Sequence, residues 1–252
     1  MIPIFRLKAC LNGSRKVSEH QSVPVTPSEL ATAASDAVAA GAEAIHMHPR
    51  RADGTESLAA SDIADAVREV RAACPGIPIG VSTGLWIVHG DVSSRRVQVA
   101  AWADLDPAGR PDFASVNVKE AGFAELADVL QAGGIGVEAG VWSSEDADAL
   151  ADVTPRLPWL RVLVEIMNAP ADEASTIADT ILERLDTLHV DGPRLLHGEG
   201  RACWALVAHA SRLGLPTRIG LEDSLSGPDG KDVTDNAALV HLGLEVWSDQ
   251  VH

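Results

Sequence analysis

Positive charge is scarce in this sequence. The 252 residues include 20 lysines and arginines against 36 aspartates and glutamates, which gives a formal net charge of −16. Such a negative field repels DNA, RNA and anionic membrane surfaces, so we expect no nucleic-acid partner and no membrane partner. A small anionic ligand remains compatible, because it needs only a local group of arginines or backbone N–H donors.

Cysteine and long apolar runs are scarce as well. Cys10, Cys74 and Cys203 are scattered and form no Cys-x-x-Cys spacing, as is typical of a reduced, intracellular protein. No apolar run approaches the ~20 residues that span a bilayer. The first residues, MIPIFRLKACLNG, lack the charged, apolar and small-residue regions of a signal peptide. We therefore expect a cytoplasmic protein.

A Gly-rich phosphate-binding turn is also missing, since CLNGSRK follows the first apolar run, and this disfavours a doubly wound open sheet. What the sequence does contain is a regular alternation of short apolar runs and longer segments of helical period. The predicted strands are 5–11, 42–48, 77–83, 113–118, 135–141, 161–167, 194–199 and 217–223. Eight such units over ~250 residues predict an α/β fold, a (β/α)₈ TIM barrel that forms a single domain over 1–252.

The predicted helices lie between these strands. The first has Thr26 as N-cap, Pro27 at the first helical position, Glu29 three residues after the cap and Gly41 as the stop. A second begins at Ser61. The others are predicted over 94–104, 120–132, 144–151, 171–186, 200–213 and 235–246.

In TIM barrels the active site lies at the carboxyl ends of the strands. The polar residues predicted there are Asn12, His46, His48, Ser82, Thr83, Asn117, Lys119, Glu138, Glu165, Asn168, His197, Glu199, Glu222 and Asp223. A strand end that only meets solvent more often carries turn residues such as glycine and proline. The concentration of histidine and glutamate therefore indicates a functional site.

The stretch AEAIHMHPR places two histidines on one face of the second strand, because side chains alternate with a period of two. His46 and His48 can then converge on one ion, with Glu222 from the eighth strand as a third ligand. Two histidines and one carboxylate form a common catalytic zinc set, although Mn, Fe, Co and Ni also accept these ligands. Two hydrogen-bonded histidines at a strand end are the alternative.

Two charged residues inside apolar strands each allow two interpretations. Arg218 either pairs with Asp223 or a substrate carboxylate, or forms a salt bridge at the barrel floor. Asp223 falls on the opposite face of the strand from Arg218 unless the strand is already turning there, and Arg218 lies below it, so the pair also requires the arginine to reach upward. Glu138 is either a buried acid or base, or a residue on the outer layer.

Weaker signals lie after the third strand and at the third helix. Ser82 and Thr83 before Gly84 are similar to a nest that binds an anion or a carbonyl oxygen. Arg95 and Arg96 are interpreted as a solvated helix start.

Several motifs together resemble the β-keto acid cleavage enzyme family. They are VPVTPSEL, GAEAIHMHPR, VSTG, FASVN, GVEAG and RIGLED, and the resemblance runs from about residue 5 to about residue 245. The combination of H-x-H-x-R with a late R-x-G-[LF]-E-D is the specific pair, whereas STG and SVN only support it.

The resemblance implies a metal-dependent barrel that forms a homo-oligomer, commonly a homotetramer. It would convert a β-keto acid and acetyl-CoA into a new acyl-CoA and acetoacetate by a retro-Claisen route. The family's metal ligands fall on His46, His48 and Glu222, with Zn²⁺ as the expected ion.

The resemblance also assigns roles to the remaining site residues. Asp223, oriented by Arg218, would be the base that removes the C2 proton, and Glu138 and Ser82 would hold or protonate oxygens. Separately from the resemblance, we predict that Arg15, Thr83, Asn117 and Glu120 bind the substrate.

Two of these positions depart from the family's amino-keto acid enzyme. Arg15 stands next to the position where that enzyme has a glutamate, so we expect a neutral or anionic acyl group here. Glu120 replaces a threonine, which changes the shape of the pocket.

Two competing functions remain. An amidohydrolase-like hydrolase also uses H-x-H on a TIM barrel, but usually on the first strand and with histidines on two middle strands. Here the middle strands offer Glu138 and Glu165 instead. A barrel that keeps its metal site without catalysis is the other alternative, and retained buried charges such as Arg218 and Asp223 argue against it because they are costly.

Overall fold

In the computed structural model the described residues are 2–153 and 159–248, and they form eight strands that alternate with eight α-helices. The strands are β1 (Leu7–Cys10), β2 (Ala44–Met47), β3 (Ile79–Ser82), β4 (Phe113–Asn117), β5 (Gly136–Val141), β6 (Arg161–Ile166), β7 (Arg194–Gly198) and β8 (Thr217–Ile219). The helices are α1 (Pro27–Ala39), α2 (Ala60–Ala73), α3 (Val92–Ala100), α4 (Phe123–Ala132), α5 (Ser144–Asp152), α6 (Ala171–Thr187), α7 (Cys203–Arg212) and α8 (Asn236–Ser248).

All neighbouring strands are parallel, in the order β7-β6-β5-β4-β3-β2-β1-β8. The Leu196 N–H donates to the carbonyl of Pro216 at 3.1 Å, which brings β7 beside the start of β8 and nearly closes the ring. The predicted TIM barrel is therefore confirmed. Within the described residues no helix is long and apolar enough to cross a membrane.

The apolar core has two parts. The larger part lies between the outer faces of the strands and the helices, and the smaller lies inside the barrel near the strand starts. The smaller cluster consists of Ile4, Ala44, Phe113, Leu163 and Leu195. The next inward positions along several strands are charged, so the barrel changes from an apolar base to a polar upper half.

The first helix forms as predicted. Thr26 and Glu29 make a reciprocal capping box, and Gly41 has φ +112° just after the helix. The predicted start of the second helix is wrong, because Ala59 is its N-cap and no side chain caps it. Ser57 organises that entry instead, since its hydroxyl accepts from the Ala59 N–H at 3.1 Å.

The last strand is shorter than predicted, ending at Ile219 instead of residue 223. The chain turns at Gly220, whose carbonyl accepts from the N–H groups of Asp223 and Ser224 at 2.9 and 3.0 Å. A Cβ at Gly220 would lie 1.8 Å from the carbonyl oxygen of Cys10, so only glycine allows this approach. The turn places Glu222 and Asp223 both near Arg218, which strand parity alone did not predict.

Candidate active site

A cavity of about 330 Å³ lies at the carboxyl ends of the strands. Its walls are mostly polar and charged. They comprise Gly13, Ser14, Arg15, Glu19, His46, His48, Ser82, Gly84, Trp86, Ser115, Asn117, Trp142, Glu165, Met167, Glu199, Arg218 and Glu222. The cavity is therefore where the barrel fold predicts an active site.

The three predicted metal ligands meet at this cavity. The Nε2 atoms of His46 and His48 lie 3.9 and 3.7 Å from Oε2 of Glu222, and one ligand atom from each residue lies within 4.8 Å of the others. Among the described residues, Nδ1 of His46 and Oε2 of Glu222 have no hydrogen-bond partner although both are buried. Buried polar atoms without partners are costly, and a cation shared with the Nε2 atoms of the two histidines would satisfy Oε2 of Glu222. These residues fit a divalent metal.

The electrostatics favour the metal-binding forms of His46 and Glu222, whereas His48 must lose a proton to bind a metal. Burial holds the pKa of His46 well below its usual range, so this imidazole is neutral. Burial opposes the ionisation of Glu222, but Arg218 and His48 outweigh it and hold the pKa of that carboxyl well below its usual range. Burial also acts against a charged His48, yet the nearby Glu222 and Glu56 raise its pKa to about 9.

The backbone around the ligands is fixed by short contacts. The side-chain amide of Asn12 donates to the carbonyl of His48 at 2.9 Å and accepts from its N–H at 2.8 Å. Gly13 has φ +52°, and a Cβ there would lie 2.5 Å from Cγ of Glu222. Glycine at this position therefore leaves room for the carboxylate ligand.

Arg218 links this ligand set to Asp223. Its guanidinium donates to Oδ1 of Asp223 at 2.7 and 3.2 Å and to Oε1 of Glu222 at 2.9 Å. The predicted pairing of Arg218 with Asp223 is thus confirmed. Burial raises the pKa of Asp223 to about 7, although Arg218 acts in the opposite direction. Asp223 is fully buried beside Arg218 and is outside the set of residues that line the cavity.

Glu165 and His197 extend the same network. Nε2 of His197 lies 2.9 Å from Oε2 of Glu165, and its Nδ1 lies 3.8 Å from Oδ1 of Asp223. Burial and Arg218 lower the pKa of His197 to about 4. The pKa of Glu165 is lowered by His197 and Arg218 despite its burial. The pair is therefore a neutral imidazole and a carboxylate at neutral pH.

Glu138 lies inside the barrel and not on the outer layer. Its carboxylate is 2.6 Å from Nζ of Lys8 and 2.9 Å from Nε of Arg161, and the Lys8 and Glu138 side chains are fully buried. Glu138 is outside the set of described residues that line the cavity. The structure thus separates it from the other predicted catalytic residues and surrounds it with two cations.

Ser82 lines the cavity, and its hydroxyl accepts from the N–H of Gly84 at 3.2 Å. Thr83 is buried beside it and donates to the carbonyl of Ser115 at 2.6 Å. Ser82 therefore faces the cavity, whereas Thr83 supports the neighbouring strand.

Asn117 lines the cavity, and Glu120 hydrogen-bonds to Asn117 from outside the cavity lining. The Asn117 amide donates to Oε1 of Glu120 at 3.0 Å, while the other oxygen of Glu120 accepts from Arg95 and from the N–H of Leu85. Arg95 is only 1% exposed, so its interpretation as a solvated residue is wrong. The carboxylate of Glu120 and the carbonyl of Ala121 satisfy its charge inside the protein.

Arg15 lines the cavity as predicted, but two carboxylates accompany it. Its guanidinium lies 3.0 Å from Glu19 and 3.5 Å from Glu199, and both partners also line the cavity. Arg50, the arginine of the H-x-H-x-R motif, donates to the carbonyls of Gly13 and Arg15 at 3.0 and 2.6 Å. Arg50 therefore fixes the loop that carries Arg15.

Trp86, Trp142 and Glu56 are among the site residues that were missed from the sequence. The Trp142 indole N–H lies 3.3 Å from Oε1 of Glu165, and Lys119 Nζ stands 3.3 Å from the centroid of the Trp142 ring. Trp86 stacks near His48, with the ring centroids 6.3 Å apart. Glu56 bonds to both His48 and Trp86. No periodic signal marks these residues, because they lie in the short connections between the strands and the α-helices.

The model of the beta-keto acid cleavage enzyme family matches residues 6–246. Two 3-keto-5-aminohexanoate cleavage enzymes, from Fusobacterium nucleatum and Acetoanaerobium sticklandii, are each 35% identical over 79 residues. Those residues are 31% of this chain and 29% of each relative, so the match spans less than a third of the relatives' length.

Solved structures support the fold. The ternary complex of ObcA with a C4-CoA adduct and oxalate superposes with a TM-score of 0.71 at 18% identity, over 91% of this chain and 64% of that one. A 3-dehydroquinate dehydratase from Geobacillus kaustophilus has a TM-score of 0.61 at 11% identity, over 97% of this chain and 90% of that one. At these identities the likeness is one of fold alone.

Proposed function

Because this chain belongs to the β-keto acid cleavage enzyme family, we propose that it converts a β-keto acid and acetyl-CoA into an acyl-CoA and acetoacetate. The observation that carries the proposal is the convergence of His46, His48 and Glu222 at one cavity with the Arg218–Asp223 pair. The ObcA complex with a CoA adduct is consistent with a CoA substrate on this fold.

His46, His48 and Glu222 would hold a divalent metal, with Zn²⁺ as the expected ion. Bound there, the metal supplies Lewis acidity that lowers the pKa of the C2 protons of the keto acid. Asp223 is the proposed base, since its Oδ2 lacks a hydrogen-bond partner among the described residues and its pKa of about 7 suits proton exchange at neutral pH. Arg218 orients Asp223 through two hydrogen bonds.

The proposed reaction then follows a retro-Claisen route. The C2 carbanion attacks the thioester carbonyl of acetyl-CoA, and the CoA thiolate leaves. The thiolate adds to the keto carbon, the C2–C3 bond breaks, and acetoacetate departs after C2 is reprotonated. Ser82 is the proposed hydrogen-bond donor to a substrate oxygen, because its hydroxyl faces the cavity. Glu138 would influence oxygens only through Lys8 and Arg161.

The proposed substrate contacts divide into direct and indirect ones. Arg15 and Asn117 line the cavity, whereas Thr83 and Glu120 act through Ser115 and Asn117. We propose that the guanidinium of Arg15 favours a neutral or anionic acyl group over a cationic one, although Glu19 and Glu199 offset part of its charge. We further propose a homotetramer, which light scattering of the purified protein would test.

The experiment combines metal analysis with a substrate screen. Bound metal is measured in the purified protein, and β-keto acids are then screened with acetyl-CoA while acetoacetate is followed. His46→Ala and His48→Ala should lose metal and activity together, while the exposed control His241→Ala keeps both. Asp223→Asn should keep the metal and lose turnover.

Other outcomes would contradict parts of this proposal. Turnover by Asp223→Asn would remove Asp223 as the base. Hydrolysis of amides or esters without acetyl-CoA would support an amidohydrolase-like enzyme instead. If Arg15→Glu does not shift selectivity toward cationic keto acids, Arg15 does not contact the acyl group.

A further inference from the structure

Glu56 lies on the loop between β2 and α2, outside the set of residues that line the cavity. An isolated antiparallel bridge between Arg50 and Glu56 closes this loop into a short hairpin. The side chain of Glu56 is 14% exposed, so its carboxylate is held largely inside the protein. It turns toward the metal-ligand group and away from solvent.

Each oxygen of Glu56 has its own partner. Oε1 lies 2.5 Å from Nδ1 of His48, and Oε2 accepts from the indole N–H of Trp86 at 3.1 Å. The Trp86 ring stacks near the His48 ring with 25° between their planes. Glu56 therefore holds the metal-facing imidazole along one edge, and Trp86 fixes the rotation of the carboxylate.

The contact determines which imidazole nitrogen is available. A carboxylate only accepts hydrogen bonds, so Nδ1 of His48 must carry the hydrogen that joins it to Glu56. In the neutral ring Nε2 is then bare, and this is the atom that lies 3.7 Å from Glu222. In the neutral ring that binds a metal, the lone pair of His48 therefore lies on the nitrogen that faces the candidate metal position.

His46 provides the contrast within the same site. Its Nδ1 is buried and has no hydrogen-bond partner among the described residues. No carboxylate hydrogen-bonds to His46 in the way that Glu56 hydrogen-bonds to Nδ1 of His48 among the described residues. Of the two histidine ligands, only His48 is oriented by a carboxylate behind it.

We propose that Glu56 is a positioning residue that selects the Nδ1–H tautomer of His48 and makes His48 the pre-oriented ligand of the metal. The inference rests on the metal site of the proposed function. A carboxylate behind a ligating histidine fixes the ring and increases its basicity, and loss of such a partner weakens metal binding roughly 10–100-fold.

The test measures metal affinity and needs no activity. Zn²⁺ binding to the purified apoprotein is measured by competition with a chromogenic chelator, for the wild type, Glu56→Gln and Glu56→Ala. Glu56→Gln keeps an acceptor without the charge and should bind about 10-fold more weakly, and Glu56→Ala about 100-fold. The matched control is Glu69→Gln, an exposed glutamate on α2, which should bind Zn²⁺ as the wild type does.

A second readout reports the tautomer directly. The ¹⁵N chemical shifts of the His48 ring, recorded in the apoprotein above pH 9 where the ring is neutral, should show Nδ1–H in the wild type and a mixture of tautomers in Glu56→Ala. Trp86→Phe removes only the hydrogen bond to the far oxygen of Glu56, so it should weaken Zn²⁺ binding by less than Glu56→Gln does. This variant keeps the test open if the Glu56 variants do not fold.

The outcomes separate this inference from the proposed function. Zn²⁺ affinity of both Glu56 variants equal to that of Glu69→Gln would overturn the role of Glu56, even if their thermal stability fell. If the Glu56 variants do not fold, the decisive variant is Trp86→Phe. An unchanged His48 tautomer together with an unchanged Zn²⁺ affinity in Trp86→Phe would then overturn the role of Glu56. If His46→Ala also binds Zn²⁺ like the wild type, the metal site itself is wrong.

Discussion

The buried ion cluster of Glu138, Lys8 and Arg161 gives a prediction that decides between a structural and a catalytic role for Glu138. The carboxylate contacts both cations at 2.6 and 2.9 Å, and all three residues are buried. Glu138→Gln leaves two buried cations without an anion. Breaking a buried pair in this way costs about 3–5 kcal/mol, a large part of the about 5–15 kcal/mol that stabilises a typical domain.

The assay is urea unfolding followed by circular dichroism, combined with kcat/KM measured per folded molecule. Lys8→Met in the Glu138→Gln background removes one of the unpaired cations at nearly constant volume, so it should restore part of the lost stability. Turnover per folded molecule should change little, because the Glu138 carboxylate is fully buried between Lys8 and Arg161.

The opposite pattern would refute the reasoning. If Glu138→Gln unfolds within about 1 kcal/mol of the wild type, the cluster does not support the barrel in the way described. If kcat/KM then falls at unchanged stability, Glu138 acts in the reaction, as the family resemblance implies.

The remaining predictions concern pH and the backbone. Burial lowers the pKa of His197 from 6.5 to about 4. The free energy of unfolding therefore keeps its full contribution from the neutral His197 ring above pH 6.5 and falls by about 3 kcal/mol as the pH is lowered to about 4. Urea unfolding in EDTA should show a weaker loss for His197→Gln than for the wild type or the exposed-site control His241→Gln, and parallel curves would contradict this. Gly13→Ala should weaken Zn²⁺ binding in a chelator competition, because its Cβ would meet Glu222, whereas Gly90→Ala, at φ +85° with open space around it, should only destabilise the fold. Equal Zn²⁺ affinity of both variants would contradict the steric argument.

The charged interior explains why the polar half of the barrel is built as a network and not as separate pairs. Arg218 faces Glu222 and Asp223, and Glu165 meets His197. Buried charges without partners are costly, so each of these groups depends on another for its ionisation state. A substitution at one position is therefore expected to alter the pKa of its neighbours.

The sequence predicts the ligand positions because their signals are local. His46 and His48 share a face through the period of two, and the alternation of strands and helices brings the end of the last strand beside the first and close to the second. Glu222, just after the last strand, adds a carboxylate to the two histidines. These three residues could be found without coordinates because each lies at or just after the carboxyl end of a recognisable strand.

Other site residues carry no such local signal. Glu56 and Trp86 lie in the connections that follow β2 and β3. The sequence around Arg95 is typical of an exposed helix start, although Arg95 is buried and pairs with Glu120. The turn at Gly220 depends on a close approach to Cys10, which is distant in sequence. Contacts of this kind depend on the path of loops, which hydrophobic periodicity does not describe.

By itself, the sequence determined the TIM barrel, the strand ends that carry the site and the three candidate ligands, because these follow from periodicity and strand order. Only the tertiary structure decided which charges meet. Lys8 and Glu138 are 130 positions apart and pair inside the closed barrel, away from the cavity, whereas Glu222 and Asp223 turn together toward Arg218. The physical reason is that buried charges must find partners, and the register of the closed sheet determines which partners are within reach.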